Sequence, residues 1–94
     1  MNIKLTKAQL AVVEVNEWTD MDLHGDFGGA EYMGFICAYD SKRGAILTNV
    51  GKDHLSNAAN FLFDFGNCEM EPANERRAIM NLASKVLRAA YEAG

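Results

Sequence analysis

Apolar positions after Thr6 recur at helical spacing. Ala8, Ala11, Val12 and Val15 fall on one face, joined by Leu10 and Val13. Thr6 and Gln9 have the spacing of a capping box, in which the two side chains satisfy each other's backbone N–H groups. This predicts a helix from about Lys7 to Trp18. The β-branched run Val12-Val13-Glu14-Val15 would also suit a strand, and that alternative stays open. Thr19 to Gly29 is rich in Asp and Gly, holds no lasting periodicity and reads as a loop.

Two apolar runs follow, Tyr32 to Tyr39 and Ala45 to Val50, around the polar segment Asp40-Ser41-Lys42-Arg43-Gly44. That pattern predicts a β-hairpin. Gly51 breaks the second strand, and Asp53 can cap a helix. The apolar face of that helix is Leu55, Ala58, Ala59, Leu62 and Phe65, with Asn57, Asn60 and Asp64 outward and Gly66 just past its end. Pro72 fits the first turn of a final long helix. Ile79, Leu82, Ala83, Val86 and Ala90 form its stripe, widened by Met80, Leu87 and Tyr91. Arg77, Asn81, Lys85, Arg88 and Glu92 form its wet face. These elements sum to an α+β fold, a small antiparallel hairpin sheet packed with three helices in the order α-β-β-α-α.

Length makes this one compact domain, 1–94. A chain of 94 residues buries only roughly 60–65% of its unfolded surface, so its margin is thin and a homo-oligomer would be unsurprising. Met1 to Lys7 has no long apolar run behind it, and no stretch approaches the ~20 apolar residues that span a bilayer. The expectation is a cytoplasmic protein that does not engage a membrane. Cys37 and Cys68 read as reduced thiols, with Cys37 expected in the core.

Charge changes the picture more. The net charge of −4 is unevenly distributed. Glu14, Glu17, Asp20, Asp22, Asp26, Glu31 and Asp40 all lie between Ala8 and Asp40, a stretch without Lys or Arg. Charge of one sign on one half bears on partners rather than on fold. It disfavours direct contact of that half with nucleic-acid phosphate and favours a cation or a larger protein with a basic surface.

Candidate chemistry is sparse. Asp20-Met21-Asp22-Leu23-His24-Gly25-Asp26-Phe27-Gly28-Gly29-Ala30-Glu31 resembles an EF-hand calcium loop, with Asp20 and Asp22 at its first and third positions, Gly25 at the turn and Glu31 at the twelfth. The resemblance implies calcium held by Asp20, Asp22 and Glu31, with Tyr32, Phe35, Ile36 and Tyr39 as the apolar face of an exiting helix. His24 and Phe27 depart from the pattern, Gly34 would interrupt the exiting helix, and the segment from Asp64 lacks the ligand set of a second loop. Asp40-Ser41-Lys42 has the spacing of a metal-dependent hydrolase site when joined by Asp26 or Glu31, but equally forms a turn. His24, Cys37, His54 and Cys68 include zinc-ligand types at no zinc-knuckle spacing, and nothing in sequence joins Cys68 to His54 as a nucleophile and base. Trp18, Phe27 and Tyr32 flank the acidic loop, with the core as their expected home.

With no complete catalytic motif and no cofactor signature, the chain reads as a non-catalytic binding protein, an inhibitor or adaptor. Its seven partner-binding candidates are the acids from Glu14 to Asp40. Their carboxylates could stand in for phosphates and occupy a nucleic-acid groove on the partner. In size, acidity and lack of catalytic motif the chain is similar to small phage inhibitors of host nucleases, anti-CRISPR proteins among them, a similarity of profile carried by no motif. Calcium response through the Asp20–Glu31 loop is the alternative, and a small metal-dependent hydrolase is the third.

Overall fold

The structure is a computed structural model that describes residues 2–16, 18, 29–68 and 73–93. Its elements are β1 (Ile3–Lys4), α1 (Lys7–Val15), α2 (Gly29–Ala38), β2 (Tyr39–Asp40), β3 (Ala45–Ile46), α3 (Lys52–Cys68) and α4 (Ala73–Ala93). The predicted order α-β-β-α-α and its three helices are therefore corrected. The chain runs β-α-α-β-β-α-α, mostly helical, with a three-stranded antiparallel sheet in the order β1-β3-β2.

The largest correction is Tyr32 to Tyr39, predicted as a strand and observed almost wholly in α2. Tyr32, Phe35 and Ala38 are buried at a spacing of three, the repeat of a helix face and not of a strand. Packing against α3 overrides the β-propensity of Tyr, Phe and Ile. The hairpin survives as two residues per strand, with Tyr39 opposite Ile46 and Asp40 opposite Ala45. β1, absent from the sequence reading, pairs Ile3 with Ile46 and Lys4 with Ala45 on the other side of β3.

Helix α1 begins as its capping box predicts. The Thr6 N–H donates to Gln9 Oε1 at 2.9 Å and the Gln9 N–H donates to Thr6 Oγ1 at 3.2 Å. Its buried face, however, is Gln9, Val12 and Val13, while Ala8 and Ala11 are exposed and Val15 is 81% exposed. The face turns toward Gln9, 3% exposed, whose Nε2 donates to the Ala78 carbonyl of α4 at 3.0 Å. A buried polar side chain is tolerated when its groups are bonded. The helix stops at Val15 instead of Trp18, where Asn16 Nδ2 donates back to the Val12 carbonyl at 2.8 Å. Trp18 then tucks inward, edge-on to Phe35, Phe61 and Phe65 at ring distances of 5.7, 5.0 and 4.6 Å.

Helix α3 is the centre of the domain, packed by α2 on one side and α4 on another. This two-sided burial adds Phe61 to the predicted face of Leu55, Ala58, Ala59 and Leu62 and leaves Phe65 half-buried. Gly66 does not end the helix. It lies inside α3, buried, where a Cβ would sit 2.8 Å from Met80 Sδ. Helix α4 buries Ile79, Leu82, Ala83, Val86 and Ala90 as its stripe predicts, with Met80 and Leu87 half-buried, but Tyr91 is exposed. Cys37, expected in the core, is exposed and free. No helix among the described residues is long and apolar enough to cross a membrane.

Candidate functional site

The α2–α3 crossing positions the most unusual group of charges. At Gly34 the two helices touch almost backbone to backbone: an added Cβ would lie 2.5 Å from Asn57 Cβ, 2.8 Å from the His54 carbonyl oxygen and 3.0 Å from the Ala58 nitrogen. A glycine inside a helix costs about 1 kcal/mol against alanine, and here it permits the close approach. Toward the start of α2, Tyr32 packs on Phe61 of α3 at 5.3 Å between rings. One residue earlier, Glu31 meets Asp64. The neutral Glu31 carboxyl can donate to the Asp64 carboxylate, and that interaction, then burial, then the Asp64 charge raise its pKa. Asp64 lies outside the acidic stretch, and the sequence marks it only as an outward residue of its helix and as the start of a segment without the ligand set of a second calcium loop. No local spacing could have joined it to Glu31, because only the crossing does.

A second pair of acids gathers at the other end of α2. The Tyr39 hydroxyl has its pKa raised by burial and by the charges of Glu14 and Asp40. Its ring stacks on Phe35 at 5.4 Å. Asp40 also organises the hairpin turn. Its Oδ1 accepts from the backbone N–H groups of Lys42 and Arg43 at 3.0 and 3.3 Å, and its Oδ2 lies 3.5 Å from Arg43 Nη1. Asp40-Ser41-Lys42 thus has the geometry of its turn-forming reading. Glu31 and Asp40 lie at opposite ends of α2, whose ten residues span about 15 Å at 1.5 Å each, so they cannot share one small metal site.

Of the seven partner-binding candidates, Glu14 is exposed on α1, Glu31 is half-buried in the first turn of α2, and Asp40 is half-buried at the end of β2. Glu17, Asp20, Asp22 and Asp26 lie outside the described residues, as do His24, Phe27 and Pro72. The calcium-loop expectation thus rests on one described ligand, Glu31, bonded to Asp64. Among the described residues no three His, Cys, Asp or Glu side chains gather as a metal site.

Between the two acidic pairs runs the outward face of α2. Ala30, Met33 and Cys37 are exposed there, Met33 by 46%, and none is charged. A helix apolar on nearly every side normally has neighbours on every side. Comparison of the chain with protein-family models, with curated proteins and with solved structures finds no match.

Proposed function

We propose that the protein is a non-catalytic binding module, an inhibitor or adaptor, whose acidic N-terminal half docks on a basic surface of a larger protein in the cytoplasm. The observation that carries this reading is the contact between Glu31 and Asp64, two acids from different helices close enough to share a proton. Like charges held together are relieved by a cation, and an Arg of a partner could bond both carboxylates at once. The uncharged outward face at Ala30, Met33 and Cys37 would supply the apolar centre of the contact, with acids at its rim. The carboxylates then take the place that phosphates would occupy on such a partner.

The test is charge reversal with kinetics. Once a partner is in hand, the triple variant Asp20→Lys, Asp22→Lys, Asp26→Lys should lose binding while keeping a wild-type melt. The wild-type on-rate should fall as salt rises, since the Debye length shrinks from ~10 Å at 0.1 M to ~3 Å at 1 M. Equal binding by the triple variant and the wild type would defeat the proposal. A second reading, calcium binding by the Asp20–Glu31 loop, draws on one observation: helices α1 and α2 stand on either side of it, with Glu31 in the first turn of α2.

A further inference from the structure

A groove of about 850 Å³ lies between the outer strand β1 and the wet face of α4. Along α4 its wall runs Ala78, Asn81, Lys85, Arg88 and Glu92, one stripe at helical spacing. Facing it are Asn2, Ile3 and Thr48. Among the described residues Lys85 and Arg88 are its only cations, three residues apart at mid-groove, and Glu92 is its only acid, at one end.

We infer that this groove binds an extended acidic peptide segment of another protein. Length is the first argument. From Ala78 to Ala93, both in the lining, α4 covers about 22 Å at 1.5 Å per residue. An extended chain at ~3.3 Å per residue fills that distance with roughly seven residues, whereas a single small anion would occupy a fraction of it. The second argument is backbone supply. β1 is an outer strand of the sheet, paired only with β3 among the described residues. The Leu5 N–H donates to the Gly44 carbonyl, so of the two residues of β1 it is Lys4 that turns its N–H and C=O away from β3, one main-chain donor and one acceptor at the outer edge. The short side chains of Ala78, Ser84, Ala89 and Ala93 let a peptide backbone come close to α4.

Charge sets the sign and register. Lys85 and Arg88 call for carboxylates at the centre of the segment, and Glu92 repels one at its end. Nucleic acid fits poorly. Among the described residues the lining holds no aromatic side chain on which a base could stack and only two cations. This surface is separate from the acidic docking face, and together they would make the protein a bridge between a basic and an acidic partner.

Selection from a phage-displayed library of random heptapeptides tests the inference directly. Wild-type protein should enrich Asp and Glu at two central positions. The Lys85→Glu, Arg88→Glu variant should bind the selected peptide at least tenfold more weakly and should itself enrich Lys and Arg at the same positions. Both substitutions are on an exposed face, so a wild-type melt is expected and serves as the folding control. Amide shifts of Asn81, Lys85 and Arg88 on peptide addition should place the ligand in the groove. Enrichment without acids, or acid enrichment that survives the double reversal, overturns the inference. So does displacement of the peptide by inorganic phosphate at millimolar level, which would mean a small-anion site. Concentration-dependent self-association abolished by the same double variant would make the occupant a second copy of this chain and would overturn it as well.

Discussion

Gly34→Ala should destabilise the protein, although alanine is the better helix former. Relief of the glycine cost at mid-helix favours the variant by about 1 kcal/mol. Against this stands the crossing. The new methyl would lie 2.5 Å from Asn57 Cβ and within 3.0 Å of two backbone atoms of α3. Ordinary carbon contacts are about 3.5–4.0 Å, so α2 must withdraw by roughly 1 Å. None of the three atoms can swing aside, because all are backbone or Cβ. A gap of that size forfeits roughly a quarter to a half of each dispersion contact across the interface, where Tyr32 and Phe35 meet Phe61. Overpacking of this kind costs about 1–3 kcal/mol, and a backbone clash belongs at the upper end. The net loss should be about 2 kcal/mol, which lowers Tm by roughly 8–16 °C in a domain this small.

Gly66→Ala is the matched control. Its methyl would meet Met80 Sδ at 2.8 Å and Cγ at 3.2 Å, the far end of a flexible side chain. Met80 can rotate away, so strain and helix propensity nearly cancel and stability should change by less than about 1 kcal/mol. Urea melts of both variants and the wild type, followed by far-UV circular dichroism, give the comparison. Gly34→Ala at or above wild-type stability, or a larger loss at Gly66, would refute the close crossing.

Two further outcomes follow from Glu31. Its pKa is raised in the fold, so the folded state holds the Glu31 proton more readily than the unfolded chain does. The stabilisation from that proton is full below the ordinary carboxylate range and is lost as pH rises through the raised value. Glu31→Gln keeps a donor to Asp64 at every pH, so it should flatten this decline and be more stable than wild type at neutral pH; urea melts across the acid range check it, and identical pH slopes would refute the pairing. Calorimetry on chelator-stripped protein should find no calcium affinity tighter than millimolar, because imidazole at His24 is a poor calcium ligand; a micromolar constant lost in Glu31→Gln would put the metal reading first.

What the sequence made legible was local. The Thr6–Gln9 box depends on residues three apart, and the α4 stripe is a strong amphipathic period with water on one side. Helix α2 entered the sequence reading only as the exiting helix of the calcium-loop alternative, because Tyr32 to Tyr39 is apolar at nearly every position and both a period of two and a period of 3.6 fit it. The long-range contact of Gly34 with Asn57 decides between them. Gly66 misled for a related reason, since a glycine that ends a helix and one that admits a neighbouring helix look alike in sequence. In α1 the apolar stripe pointed about one position astray because it left out Gln9, whose burial depends on the distant Ala78 carbonyl. The candidate site divides in the same way. Asp40 was legible as a turn former, and the excess of acids was legible as charge, but the meeting of Glu31 with Asp64 was not.

That meeting follows from packing. Tyr32, Phe35 and Phe61 fix how α2 lies on α3, and Gly34 fixes how closely. Burial of each of these rings stabilises the fold by roughly 1.5–3 kcal/mol. A pair of partly solvated like charges costs on the order of 1 kcal/mol or less, and one shared proton lowers it further. The aromatic contacts therefore decide the geometry, and the carboxylates are carried into contact by it. Side chains alone could rotate apart to relieve such a pair. Here the helices beneath them cannot move without opening the core. Relief is open to the protein through rotation of these two side chains, a proton at low pH or a cation supplied from outside, and under the proposed function that cation is a binding partner's arginine or lysine.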